Sequence, residues 1–156
     1  MKYLAINKKP YTIDYAIFDK ERKVLLGFGT QYIKSKDYDL RIEEIWKKLN
    51  DLLETEKPNI VITQMVNLNL TLKRDLEYIF QIKTILRKLC YDKNIMYNEF
   101  KTSGWEKKIT KLKKPSPKSK LDIAHQYSND IDRVEVANAL ILGEGVVWGR
   151  LQIGRD

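Results

Sequence analysis

The sequence predicts an α/β fold in which helices flank a mixed five-stranded sheet, in the order β-β-β-α-β-α-β-α. Three observations predict it. The first 30 residues contain three strand-like runs joined by short polar connections. Helical and strand patterns then alternate along the chain. The later run at 59–63 (NIVIT) is apolar and rich in β-branched residues, which is typical of a buried strand in a parallel pair.

The first three strands are predicted at 2–7, 12–18 and 24–30. The first (KYLAIN) reads as a buried strand, and the second (TIDYAIF) alternates with the period of two expected of a strand. The polar run DKERK at 19–23 supplies a turn before the third (VLLGFGT). Because connections this short join antiparallel neighbours, we expect a three-stranded meander.

Helices are predicted at 38–55, 70–90 and 131–147 from the helical spacing of their apolar residues. KPN at 57–59 ends the first helix, and 91–100 provides a turn and the fifth strand. The lysine-rich segment 101–120, interrupted by Pro115 and Pro117, is predicted as an irregular connection. We find no internal repeat and no linker, so residues 1–156 are expected to form one domain.

Composition favours a polyanionic partner. The net charge is +8 and the pI is near 9.4, and lysines placed near phosphates gain free energy by releasing counterions. A solvated lysine-rich surface is the alternative explanation. No apolar run approaches the roughly 18 residues of a membrane span, and the N-terminus lacks a signal-peptide pattern. Cys90 is the only cysteine, which excludes an internal disulfide, so we expect a cytoplasmic protein without a membrane role.

Polar residues stand at three corresponding places in the predicted elements. The first strand ends Leu4-Ala5-Ile6-Asn7, and the fourth ends Val61-Ile62-Thr63-Gln64. The last helix reads Glu135-Val136-Ala137-Asn138-Ala139-Leu140. This pattern resembles the RuvC-type Holliday-junction resolvases of the RNase H-like superfamily. In that family the first strand ends Gly-Ile-Asp, the fourth ends in Glu, and the last helix carries Asp-x-x-Asp-Ala-Leu-Ala.

The resemblance covers almost the whole chain and implies a dimeric, Mg²⁺-dependent endonuclease of branched DNA, phage-type or from a mobile element. Asn7, Gln64, Glu135 and Asn138 fall at the four acidic positions. Three of the four acids are therefore replaced by amides, and Glu135 alone could still offer a charged metal ligand. Two divalent cations need nearby negative charge, so we expect Mg²⁺ binding to be weak or absent and DNA cleavage to be very poor. Three replacements exceed what deliberate inactivation requires, which favours a natural variant.

The resemblance also implies a DNA-binding surface in the lysine-rich segment, where this family holds backbone phosphates. The matching residues are Lys107, Lys108, Lys111, Lys113, Lys114, Lys118 and Lys120. Asn67 and Asn69, just after the fourth strand, correspond to positions that reach the junction centre. A solvated loop is the alternative for the lysines. The helix at 70–90 corresponds to the family's dimerisation helix, with simple burial beneath the sheet as its alternative.

Other functions remain open. Asp14, Glu135 and either Asp130 or Asp132 could rebuild an unconventional metal site and make the chain an active resolvase. A catalytically dead scaffold could instead act as a regulatory, transcription-associated protein on duplex DNA, or bind RNA. His125 is expected to be structural or to contact a phosphate, and Cys90 is expected to be a core thiol.

Overall fold

The structure is a computed structural model and describes residues 1–66, 68, 72–101 and 115–151. Within these ranges the chain forms five strands and four helices. They are β1 Lys2–Lys8, β2 Thr12–Asp19, β3 Val24–Tyr32, α1 Tyr38–Glu56, β4 Ile60–Gln64, α2 Lys73–Asp92, β5 Met96–Phe100, α3 Pro117–His125 and α4 Val134–Val147.

The strands form a single mixed sheet in the order β3-β2-β1-β4-β5. β1, β2 and β3 pair antiparallel, whereas β4 pairs parallel with both β1 and β5. The predicted meander and the predicted mixed sheet are both confirmed. The register places Asn7 opposite Asp14 and places Ile6 opposite Thr63, so the carboxyl ends of β1 and β4 reach the same edge.

Helices cover both faces of the sheet, because successive residues of each buried strand point to opposite sides. Leu4 and Ile6 of β1 pack in one apolar cluster with residues of α1 and α2. Ala5 of β1 packs in a second cluster with residues of α3 and α4. The chain therefore has two core layers separated by one sheet.

α4 lies directly against the sheet and is buried almost all round, as expected of a helix with little polar surface. A Cβ added to Gly143 would lie 2.7 Å from the Phe18 ring, so this close approach requires a glycine. The start of the helix lies beside the other end of β2, where Arg133 contacts Asp14. α4 thus runs along β2 and brings its first turn to the edge where β1 ends.

The helix α3 is the main difference from the predicted order. The prolines of the segment 101–120 predict an irregular connection there. In the structure Ser116 accepts a hydrogen bond from the Ser119 amide at 3.1 Å, and Pro117 occupies the first helical turn. A proline at that position starts a helix, since its missing N–H would have no intrahelical partner there.

His125 and Cys90 both contribute to the fold. The Nε2 atom of His125 lies 2.8 Å from the Ile131 carbonyl oxygen and ties the end of α3 to the segment before α4. Cys90 is buried, which raises the pKa of its thiol to about 12 and confirms the predicted core thiol. None of the helices in the described ranges has both the length and the apolar character needed to cross a bilayer.

Candidate functional site

The ends of β1 and β4 bring Asn7 and Gln64 to the same edge of the sheet. The parallel pairing ends at Ile6 and Thr63, and Asn7 and Gln64 are the next residue of each strand. Both line a cleft of about 120 Å³, together with the two lysines that follow Asn7. Strand alternation directs Asn7 to the face of Ala5, which is the face that α4 covers. Two of the four predicted positions are therefore adjacent.

α4 brings Glu135 to the same edge through a polar cluster. Arg133 Nε donates to Asp14 Oδ1 at 3.0 Å, and Asp14 is the register partner of Asn7. A carboxylate oxygen of Glu135 lies 3.6 Å from Nη2 of the same arginine. Asn138 follows Glu135 by one helical turn on α4. The structure thus connects Asn7, Gln64 and Glu135 at one edge and leaves Asn138 one turn farther along the helix.

Two amide atoms at these positions are buried without a hydrogen-bond partner among the described residues. They are Nδ2 of Asn7 and Oδ1 of Asn138. Leaving such an atom unsatisfied costs about 1–3 kcal/mol. Folding alone does not favour this arrangement, and buried polar atoms of this kind are expected where a ligand or ordered water completes the bonding.

Asp14 is fully buried and accepts hydrogen bonds from two elements. Thr30 Oγ1 on β3 donates to its Oδ1 at 2.5 Å, in addition to the bond from Arg133. The hydrogen bond to Asp14 is also the main reason why the pKa of Arg133 is raised above its usual value. The guanidinium therefore stays charged and lies between two carboxylates.

The residues at this edge do not fit a pair of divalent cations. Asn7, Gln64 and Asn138 offer neutral amide oxygens, and the carboxylate of Asp14 is already bonded to Arg133. Within the described ranges no three His, Cys, Asp or Glu side chains converge on one point. Asp130 and Asp132, which were considered for an unconventional site, are exposed. Two closely spaced divalent ions would lack the negative charge that stabilises them.

Lys8 is a buried lysine on the opposite face of the same strand ends. Its Nζ donates to Thr63 Oγ1 at 2.7 Å and to the Gln64 carbonyl at 2.9 Å. Burial lowers its pKa to about 8, Glu99 opposes that change, and Lys83 adds to it. Lys8 therefore fastens the ends of β1 and β4 to each other and positions the backbone of Gln64.

Sequence reasoning missed Lys8, Lys9 and Arg133 at this edge. The Lys8-Lys9 pair follows Asn7 directly, and Arg133 lies two residues before Glu135. Both signals were visible as cations beside the predicted acidic positions. Their side-chain partners were not, since those partners come from other elements.

The predicted DNA-binding residues are only partly described. Lys118 is exposed and Lys120 is half-buried, and both lie near the start of α3 rather than in an irregular connection. The structure assigns no acidic residue to the first turn of this helix. The remaining predicted residues lie outside the described ranges: Asn67, Asn69, Lys107, Lys108, Lys111, Lys113 and Lys114.

The predicted dimerisation helix borders an apolar groove between α1 and α2. The groove has a volume of about 760 Å³, and its lining includes Tyr38, Ile42, Leu76, Phe80 and Ile85. On this helix Ile82 is buried in the core, whereas Phe80 remains 38% exposed. α2 therefore contributes one face to the core and leaves another open.

Tyr78 supports the fold rather than the open face. Its ring lies 3.9 Å from the Arg41 guanidinium, and its hydroxyl donates to the Lys36 carbonyl at 3.1 Å. Arg41 is itself fully buried, and its Nε donates to Gln81 Oε1 at 2.9 Å. These contacts hold α1 and α2 together beneath the groove.

The overall structure is similar to several solved resolvases. Thermus thermophilus RuvC in complex with a Holliday junction substrate has a TM-score of 0.76 and 11% identity, and the alignment covers 96% of each chain. The yeast mitochondrial Holliday junction resolvase Ydc2 has a TM-score of 0.68 and 8% identity, with coverage of 95% of this chain and 79% of that one. The fowlpox virus Holliday junction resolvase has a TM-score of 0.62 and 15% identity, with coverage of 96% and 99%.

Sequence comparison adds no relative. No protein-family model matches the chain, and no curated protein matches it significantly. At identities this low the structural similarity establishes the fold. At the level of the fold it confirms the resemblance inferred from the strand ends and the last helix. The chain therefore has the RNase H-like fold found in RuvC and other Holliday junction resolvases.

Proposed function

We propose that this protein binds branched DNA, with the Holliday junction as the expected structure, and that its cleavage activity is strongly impaired. The observation that supports this most directly is the polar edge itself. Amides occupy three of the positions where the related nucleases are expected to have acids, and Arg133 holds the nearby Asp14. A structural neighbour over 96% of the chain is a RuvC bound to a Holliday junction substrate.

Mg²⁺ is the cofactor that the resemblance implies, and in such nucleases it activates water and stabilises the leaving oxygen. Here Glu135 is the only one of the four aligned positions that retains a carboxylate, and a guanidinium nitrogen lies 3.6 Å from it. We therefore expect Mg²⁺ to bind weakly or not at all. What the chain keeps is the means to hold a phosphate backbone.

Lysines provide the positive charge that would attract a phosphate backbone. Lys9 is exposed and lines the cleft beside Asn7, and the chain has a net charge of +8. Lys118 and Lys120 lie in the first turns of α3, where a phosphate would also interact favourably with the positive end of the helix dipole. Backbone contacts of this kind give affinity with little base preference. The lysines predicted between 107 and 114 would add to this surface.

We further propose that the protein is a homodimer through α2. The groove beside this helix exposes Phe80, Ile42 and Tyr38, which together form an apolar surface on a chain rich in charged residues. Exposed apolar patches of this kind commonly mark protein interfaces. A second copy of the chain would cover both grooves at once if the two helices pack about a twofold axis. Two DNA-binding edges would then face two arms of a junction.

Binding to a synthetic four-way junction and to linear duplex of equal length tests the proposal. We expect preferential junction binding in EDTA and no nicking when Mg²⁺ is added. Clear Mg²⁺-dependent turnover would refute the impaired site and favour an unconventional metal site. Equal or stronger binding to linear duplex would favour the regulatory role, and preference for single-stranded RNA in competition at fixed salt would favour an RNA-binding module.

We propose that the protein acts in the cytoplasm. If a phage encodes the chain, this is the cytoplasm of the bacterial host.

A further inference from the structure

We propose that Arg133 takes the place of the divalent cations at this edge: its guanidinium pairs with the two carboxylates and binds a DNA backbone phosphate directly. This inference rests on the proposed DNA-binding function and names the group that would contact the phosphodiester. It concerns a residue that does not coincide with any of the four acidic positions of the resemblance.

The charges at this edge are arranged around Arg133. Asp14 is fully buried, and its two carboxylate oxygens lie 3.0 and 3.5 Å from Nε and Nη2 of the arginine. Glu135 approaches Nη2 from the helix side at 3.6 Å. Carboxylates that would otherwise repel each other are thus held together by one permanent cation. A metal ion would have to displace that guanidinium to reach Asp14.

Arg133 still has hydrogen-bonding capacity for a ligand. A guanidinium has five N–H donors in a planar fork, and the contacts to Asp14 and Glu135 use Nε and Nη2. Within the described part of the chain, Nη1 makes no hydrogen bond. The side chain is 31% exposed, so solvent and ligands reach it. Phosphate oxygens match the fork geometry, which makes arginine well suited to phosphodiester binding.

The position of this arginine is costly for folding alone. Arg133 is the N-cap residue of α4, and it makes no side-chain cap hydrogen bond. Ser, Thr, Asp or Asn would satisfy the free amides there, whereas a cation adds positive charge to the positive end of the helix dipole. Pairing with Asp14 reduces that cost but leaves the first-turn amides of α4 without a capping side chain. A bound phosphate would satisfy both features.

The test compares Arg133→Met with Arg22→Met in wild-type background, using junction binding by fluorescence anisotropy in EDTA over a range of KCl concentrations. Arg22 is a matched control because it is 68% exposed and lies at the opposite end of β2, where it pairs with Asp19. We expect Arg133→Met to weaken binding about tenfold and to lower the salt slope by about 0.9, which is the loss of one phosphate contact. Arg22→Met should bind as the wild type does, and Arg133→Lys should recover part of the affinity.

A second variant keeps the test possible if Arg133→Met does not fold. If Arg133→Met unfolds because Asp14 is left buried and unpaired, the double variant Asp14→Asn/Arg133→Met removes that charge and enters the same comparison. Equal affinity and equal salt slope for the wild type and the folded Arg133 variants would overturn the inference and leave the proposed function standing. A wild type that needs Mg²⁺ to bind the junction would also overturn it. A wild type that binds no DNA would refute the proposed function and this inference together.

Discussion

Arg133 and Asp14 are 119 positions apart in sequence, and their hydrogen bond of 3.0 Å joins the start of α4 to β2. Asp14→Ala should therefore destabilise the protein, since it leaves Arg133 and Thr30 without their acceptor. We expect a loss of about 2–3 kcal/mol in the free energy of unfolding, measured by urea denaturation. Asp92→Ala is the control, because its pair with Lys88 is exposed and should matter far less. Similar losses in both variants would mean that the buried pair does not hold α4 in place.

Restoring the acids should create a metal site that is detectable without any assay of cleavage. The triple variant Asn7→Asp, Gln64→Glu and Asn138→Asp adds three carboxylates beside Glu135. Their mutual repulsion should lower the Tm in EDTA, and saturating Mg²⁺ should then raise it by about 5–10 °C because the ion binds only the folded state. The wild type should show no such shift.

A charge-matched variant separates this effect from a general response to added negative charge. Asn94→Asp, Gln126→Glu and Asn129→Asp add the same three charges at exposed positions. If both triple variants respond equally to Mg²⁺, the aligned positions do not form a metal site. If the triple variant also nicks a four-way junction and the wild type does not, the missing negative charge accounts for the inactivity of the wild type.

Lys8 should make the stability of the fold depend on pH in the alkaline range. Burial lowers its pKa to about 8 from the usual 10.5, so the unfolded chain binds more protons between these values. The wild type should therefore gain stability relative to Lys8→Met as the pH rises from about 8 to about 10.5, by roughly 3 kcal/mol in total. Urea denaturation of both proteins across this range measures the difference.

Taking the difference between wild type and Lys8→Met removes the common contributions of other groups that titrate there, such as Cys90. Lys9→Met provides the control, because Lys9 is the exposed neighbour of Lys8. Its difference from the wild type should stay level across the same pH range. If the stability difference between the wild type and Lys8→Met also stays constant with pH, burial does not lower the pKa of Lys8.

The groove beside α2 should control the oligomeric state. Phe80→Glu places a charge in the apolar surface between α1 and α2, where Phe80 is 38% exposed. We expect the wild type to sediment as a dimer and Phe80→Glu to weaken dimerisation by at least about 30-fold, as expected for a central interface aromatic. Tyr91→Glu, on the same helix but 79% exposed and outside the groove, should remain dimeric. A monomeric wild type at high concentration would contradict the proposal.

The sequence by itself was enough to predict the mixed sheet, the order of its strands along the chain, and the edge that Asn7 and Gln64 share. These features depend on local signals: alternation along strands, helical spacing, and the rule that parallel strands end at the same edge. The spacing from Glu135 to Asn138 is likewise local, since residues three apart share one side of a helix. The sequence did not predict α3, because a proline can mark either the end or the start of a helix. The hydrogen bond from the Ser119 amide to the Ser116 side chain shows that here it marks a start.

Only the tertiary structure decided what surrounds those residues. The bond from Arg133 to Asp14 and the burial of Lys8 against Thr63 depend on how the layers dock and on strand register. No periodic pattern encodes a contact between side chains that are more than fifty positions apart. The sequence therefore predicted that Asn7, Gln64 and Asn138 stand in place of acids, and the structure determined that a guanidinium lies between Asp14 and Glu135.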